Sequence, residues 1–169
     1  MELLDVYDSN GNLTGRKIVR GDKSAILSLD EHIAVGVIFI ENDKGEFLFQ
    51  KTVEEKDGKI ATTGGHVTFG DDGLKTTIKE AKEELGITFK PEDLTYIDTV
   101  VFKQCYLEIY YTNKQFSDED IVLQEEEVES VDWYTVDEIN KLIEHDKVRP
   151  GNIPAFQKVL EYKSKITRL

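Results

Sequence analysis

Glu80, Glu83 and Glu84 fall at i, i+3 and i+4 near the end of the run Gly73 to Leu85. On a helix this spacing stacks three carboxylates on one face within about one turn. Like charges so placed oppose the helix by roughly 0.2–0.5 kcal/mol per pair in water, and by more once the face is covered. A divalent cation reverses the sign. Leu74, Ile78, Ala81 and Leu85 form an apolar stripe facing away from the acids, so the helix can pack into a core and still present its carboxylates to a cleft. A bare E-x-x-E-E is more often a solvated face than a metal site. The segment before it changes that balance.

Thr62 to Asp71 reads as a loop with glycines at 64, 65 and 70. Glycine lets a backbone approach a ligand closely, so a carbonyl near Gly64 could reach the same ion as the helix acids. Hydrolysing a diphosphate requires cancelling charge on phosphate oxygens, polarising phosphorus and delivering a water, all of which magnesium on hard oxygen ligands supplies. Three carboxylates and a carbonyl suit that ion, with manganese as an alternative. Zinc fits less well, because one cysteine and three histidines, at 32, 66 and 145, match no zinc-ligand spacing.

Taken together, Gly65 to Ile87 resembles the Nudix box, G-x5-E-x7-R-E-U-x-E-E-x-G-U with U a bulky aliphatic residue. Gly65, Glu80, Glu83, Glu84, Gly86 and Ile87 stand on their expected places with no gap. Asp71 stands where the motif has Glu, Lys79 where it has Arg, and Ala81 where it has a larger aliphatic residue. The resemblance implies an α/β protein, the Nudix α/β/α sandwich with a mixed sheet, over essentially the whole chain. It implies hydrolysis of a nucleoside diphosphate linked to another moiety. It makes Glu80 and Glu84 principal metal ligands, and Glu83 a ligand or the group that orients the attacking water. Lys79 would replace an Arg that holds a catalytic carboxylate by a forked ion pair, and a point donor holds it more loosely. Lys51 and Arg149 are candidates for binding substrate phosphates. Glu127, in the acidic stretch before a late strand, is a candidate for a further acid or base. Each of these last three is also an ordinary exposed charge at a strand end or in a loop.

The opening Glu2 to Asp8, Gly15-Arg-Lys, His32-Ile-Ala-Val and Thr63-Gly-Gly-His66 are similar to the Nudix branch that contains isopentenyl diphosphate isomerase. Members of that branch carry a proton-transferring cysteine in the segment that here has glycine. His32 and His66 are similar to two imidazole ligands of its metal site, but a strand start and a loop cap account for both. An isomerase and a ligand-binding module without turnover therefore remain alternatives to the hydrolase. Phe69, Tyr110 and Tyr111 could stack on a base, although strand aromatics more often pack. Trp133 reads as core. Cys105 reads as a buried strand thiol and not a nucleophile.

The 169 residues carry a formal net charge of -13, which disfavours duplex nucleic acid and anionic membrane as partners. A phosphorylated small molecule can still be drawn to a metal-filled cleft. One cysteine excludes an intrachain disulfide, and neither a leader sequence nor a membrane-spanning run of about 18 apolar residues is visible. The reading is a cytoplasmic protein, residues 1–169 forming one domain, in which loops and a homodimer interface could set the substrate. Leu3 to Tyr7 and Leu13 to Val19 read as a β-hairpin across Asn10-Gly11, and His32 to Ile40 with Glu46 to Val53 as a strand pair in the core sheet. Lys59 to Thr63 reads as a short strand, Leu94 to Phe102 and Gln104 to Thr112 as a further pair, Ser117 to Glu126 as an acidic surface loop, and Val128 to Tyr134 as a last strand. Thr135-Val-Asp-Glu138 is a capping box that opens a helix to about His145, and a closing helix runs from about Ile153 to Ile166.

Overall fold

The computed structural model describes residues 1–167. The chain opens with β1 (Leu3–Tyr7) and β2 (Leu13–Val19), an antiparallel hairpin. Its turn is built by Asp8, whose Oδ1 accepts from the backbone of Asn10 at 2.9 Å and of Asn12 at 3.0 Å, while Gly11 supplies a φ of 80°. Next come β3 (Ile33–Ile40), β4 (Phe47–Thr52), β5 (Ile60–Ala61), β6 (Thr63–His66) and the helix α1 (Gly73–Leu85). Strands β7 (Thr95–Phe102), β8 (Cys105–Thr112) and β9 (Val128–Tyr134) follow, then α2 (Val136–Glu144) and α3 (Asn152–Thr167).

The larger sheet has the order β6-β3-β8-β7, with β3 and β8 parallel and the other pairs antiparallel; the smaller has the order β5-β4-β9. The mixed pairing agrees with the expectation, but β3 and β4 do not pair with each other as expected. Both edges of β3 are taken, one by β6 and one by β8, so the chain after the Asn42–Gly45 turn has no free ladder to return to. The expected strand from 59 to 63 is likewise divided at Thr62: β5 belongs to the sheet of β4, and β6 crosses to β3. The start of the expected glycine loop is thus strand.

β3 is apolar along its length because it is buried on both faces. Val37 and Phe39 point into a cluster with Phe47, Phe49, Ile109, Ile139, Phe156 and Val159. Ile38 and Ile40 point the other way, to Leu48, Ala81, Leu85, Ile87 and Phe89. The alternation of period two places α3 against one face and α1 against the other. This is the sandwich. α1 is started by Asp72, whose side chain accepts from Lys75 N at 2.8 Å, and stopped by Gly86 at φ 72°. Thr135 and Glu138 form the expected capping box of α2. The acidic segment before β9 is not a free surface loop. Its Val122 and Gln124 amides donate to the carbonyls of Leu85 at 2.8 Å and Glu84 at 3.1 Å, satisfying orphan acceptors of α1, while Phe116, Ile121 and Leu123 pack below. Trp133 is half-buried at that edge, with its indole donating to Asp118. Among the described residues no helix is long and apolar enough to cross a membrane.

Phe156 on α3 packs its ring against those of Phe39, Phe47 and Phe49 and is 2% exposed. Phe156→Ala is expected to cost about 3–5 kcal/mol in urea denaturation, by lost transfer energy and the cavity left at the β3–β4 seam.

Candidate active site

The face of α1 away from Ala81 and Leu85 looks onto a cleft of about 600 Å³, bordered by β4, β6 and the segments entering β9 and α3. Glu80, Glu83 and Glu84 all line it. Their positions differ: Glu84 is buried at 7% exposure, whereas the Glu83 side chain is 45% exposed at the rim. The Glu80 and Glu84 carboxyls are one turn apart on the same helix. Burial pushes the Glu84 carboxyl up to about 8; a hydrogen bond from Gln50 opposes that rise, and the neighbouring charge of Glu80 adds to it. Glu80 is also raised, first by burial. Gly65 makes room for this pair: a Cβ there would lie 2.5 Å from Glu80 Oε1.

With Glu80 half-buried and Glu84 buried, ionising both carboxyls is costly, a divalent cation would cancel that cost, and hard oxygens select an ion such as magnesium or manganese. The residues present therefore fit a metal. In this conformation the convergence is of a pair, and among the described residues no three Asp, Glu, His or Cys side chains are grouped closely enough to hold an ion. Cationic groups also line the cleft. Lys56 Nζ lies 3.2 Å from Glu127 Oε1, and Arg149 donates to Asp57 Oδ2 at 2.8 Å and to Thr52 Oγ1 at 3.0 Å. Arg20, at the end of the N-terminal hairpin, reaches the cleft paired with Glu2 at 2.8 Å.

The family model for the NUDIX domain matches residues 30–158. The chain belongs to the Nudix hydrolase family. Members of this family hydrolyse diphosphate linkages in small molecules and generally use divalent metal ions. An uncharacterized Nudix hydrolase of Listeria innocua is 30% identical over 146 residues, spanning 84% of this chain and 85% of the relative. One from Listeria monocytogenes is 29% identical over 146 residues, with the same coverage. Among solved structures, DR0079 of Deinococcus radiodurans has a TM-score of 0.76 at 16% identity and covers 93% of this chain and 97% of its own. A Caenorhabditis elegans Ap4A hydrolase has a TM-score of 0.57 at 18% identity, covering 80% and 99%. At these identities the structural likenesses speak to the Nudix fold.

Within this Nudix cleft stand Gly64, Glu80, Glu83, Glu84, Glu127 and Arg149 of the residues singled out from sequence. Lys79 is on the exposed side of α1, with its Nζ 4.0 Å from Glu83 Oε1 and no contact to Glu84. Lys51 does not line the cleft. It alternates with Gln50 and Thr52 on β4, so while those two face the cleft its side chain turns out to Glu129 at 2.8 Å and Glu54 at 3.5 Å. The local charge of Lys51 suggested a phosphate contact, and strand alternation assigns the cleft to its neighbour.

The sequence reading missed Gln50, Lys56 and Arg20. A polar residue among the buried positions of Phe47-Leu-Phe-Gln50 was a usable signal for the first. Arg20 carries none, since only the folding of the hairpin beside β6 brings it near. His66 lines the cleft, and burial pushes the pKa of its imidazole down. His32 lies elsewhere, stacked on Tyr106 at 4.6 Å. Cys105 also lines the cleft, and burial pushes its thiol up, away from the thiolate. None of the three candidate stacking aromatics is there: Phe69 is exposed under Lys17, Tyr110 packs on Tyr96, and the Tyr111 hydroxyl donates to Glu41 at 2.5 Å.

Because the Glu84 carboxyl is raised in the fold, its stabilising neutral form is fully present below the unfolded value and is lost as pH climbs through about 8. In chelator, Glu84→Gln should match the wild type near pH 4 and exceed it near pH 8 by on the order of 1–3 kcal/mol in urea denaturation. Equal stability at both pH values would show that Glu84 is not a destabilising buried charge.

Proposed function

We propose that this Nudix protein is a magnesium-dependent hydrolase of a diphosphate linkage in a nucleoside diphosphate joined to a second small moiety. The observation that carries the proposal is the pair of half-buried Glu80 and buried Glu84 facing a cleft that also holds Lys56, Arg149 and Arg20. A site for a neutral substrate has no need of both charge sets. Glu80 and Glu84 would hold the ion, with the Gly64 carbonyl and Glu83 as further ligands. When bound, the ion supplies Lewis acidity toward a phosphoryl oxygen and makes a nearby water more acidic.

The protein's own groups do the rest. Water attacks one phosphorus of the diphosphate, the bond from that phosphorus to the bridging oxygen breaks, and the bridging oxygen leaves on the other phosphate. Glu83, half-exposed at the rim, would orient that water and accept its proton, and Glu127, which lines the same cleft beside Lys56, would share this role. Lys56 and Arg149 neutralise the non-bridging and departing oxygens, Arg149 through two donors in a fork. Arg20 and Glu2, which precede the segment matched to the family, reach the same cleft, and this supports reading the chain as one domain.

The test is a hydrolysis screen with magnesium over nucleoside triphosphates, nucleotide sugars, dinucleoside polyphosphates, ADP-ribose and coenzyme A, with products identified by mass. Turnover should vanish in chelator. Glu80→Gln and Glu84→Gln should each lose several kcal/mol of transition-state stabilisation, about a hundred-fold or more in kcat/KM. Isopentenyl diphosphate serves as a control, and it should give no dimethylallyl isomer because Thr63-Gly-Gly-His66 carries no thiol. Retention of full activity by both Gln variants would place the chemistry elsewhere.

A further inference from the structure

We propose that Gln50 is the positioning residue of this site: from β4, across the cleft from α1, its side-chain amide fixes the Glu84 carboxylate in the orientation that serves the cation. The inference rests on the reading of Glu80 and Glu84 as ligands. Gln50 is 5% exposed and Thr63 4% exposed. Gln50 Nε2 donates to Glu84 Oε2 at 2.5 Å, and the Thr63 hydroxyl donates to Gln50 Oε1 at 2.8 Å. A primary amide has one donor end and one acceptor end, and an ionised carboxylate only accepts, so this arrangement satisfies all three groups at once. The acceptor-only carboxylate takes the donor end of the amide, and the Thr63 hydroxyl, donating to Oε1, secures the other end.

The base of this arm is held as firmly as its tip. Gln50 is in the central strand of its sheet, paired to Ala61 on one side and Val131 on the other, and Thr63 is in β6, paired to Ile38. Glu84 is therefore positioned from outside its own helix. Lys79 does not hold Glu84: it pairs at 4.0 Å with Glu83, both side chains about half exposed, a contact worth little. Gln50 also has the right charge for the task. A lysine or arginine at its place would neutralise Glu84 and repel an incoming cation, whereas a neutral amide occupies one carboxylate oxygen and leaves the charge available.

The experiment measures manganese affinity by the loss of the free-ion electron paramagnetic signal, with the metal-free fold monitored by circular dichroism and melting. The variants are Gln50→Met, which keeps the length without the donor, Thr63→Val, and the double variant. Outer-shell partners of metal ligands typically contribute ten-fold or more, so Gln50→Met should weaken manganese binding about ten-fold and Thr63→Val by a smaller factor. If Thr63 acts through Gln50, Thr63→Val should change nothing further in the Gln50→Met background. A folded Gln50→Met protein that binds manganese within about two-fold of the wild type overturns the inference, and so do additive effects of the two changes. Should Gln50→Met fail to fold, Thr63→Val decides alone, and unchanged affinity overturns it. Failure of the wild type to bind manganese overturns the metal reading and this inference together, whereas wild-type binding that survives Gln50→Met overturns this inference alone.

Discussion

Two carboxyls held against each other under cover of protein are the constraint from which much of this structure follows. Glu80 and Glu84 sit one turn apart on α1, and burial raises both, so the folded chain carries an electrostatic penalty that water would relieve if the helix were exposed. The surroundings tolerate the penalty by specific means. Gly65 withdraws side-chain bulk from Glu80, Gln50 donates to Glu84, and the Val122 and Gln124 amides close the end of α1. Each is a contact from another part of the chain onto a helix face that its own charges would leave in solvent.

That arrangement depends on the position of α1, which is set by β3. Because alternate residues of β3 enter opposite clusters, a single strand binds α1 to one side of the fold and α3 to the other. Pairing on both edges of β3 then obliges β4 to leave for a second sheet. The cleft opens where the two sheets diverge, and this divergence is what allows Gln50, from the smaller sheet, to face Glu84 above the larger one. Site and fold share one cause.

The charge balance of the cleft follows the same logic. A chain of net charge -13 gathers Lys56, Arg149 and Arg20 around the cleft of Glu80 and Glu84, each restrained by a carboxylate partner: Glu127, Asp57 and Glu2 respectively. Such pairs are exposed enough to exchange partners at small cost. An anionic ligand can thus replace the internal carboxylate at each of these three cations.

What the sequence determined by itself was local. The i, i+3, i+4 acids, the opposing stripe ending at Leu85, the stop at Gly86, the capping box at Thr135 and Glu138, and the hairpin of β1 and β2 all follow from periods and turn chemistry spanning a few residues, and α1, α2 and that hairpin appear as expected. The box spacing is of the same kind, and so the Nudix family was legible without coordinates. The tertiary structure decided which ladder each strand joined, and with it every outcome that turns on facing. It separated β3 from β4 and divided the expected strand at Thr62. It turned Lys51 outward and Gln50 inward, and carried Arg20 from the hairpin to the cleft. It also buried Glu84, the acid nearer the apolar stripe of α1, and left Glu83 at the rim. The physical reason is that strand partners and burial are set by contacts between segments distant in sequence, whereas helix faces and caps are set by neighbours along the chain.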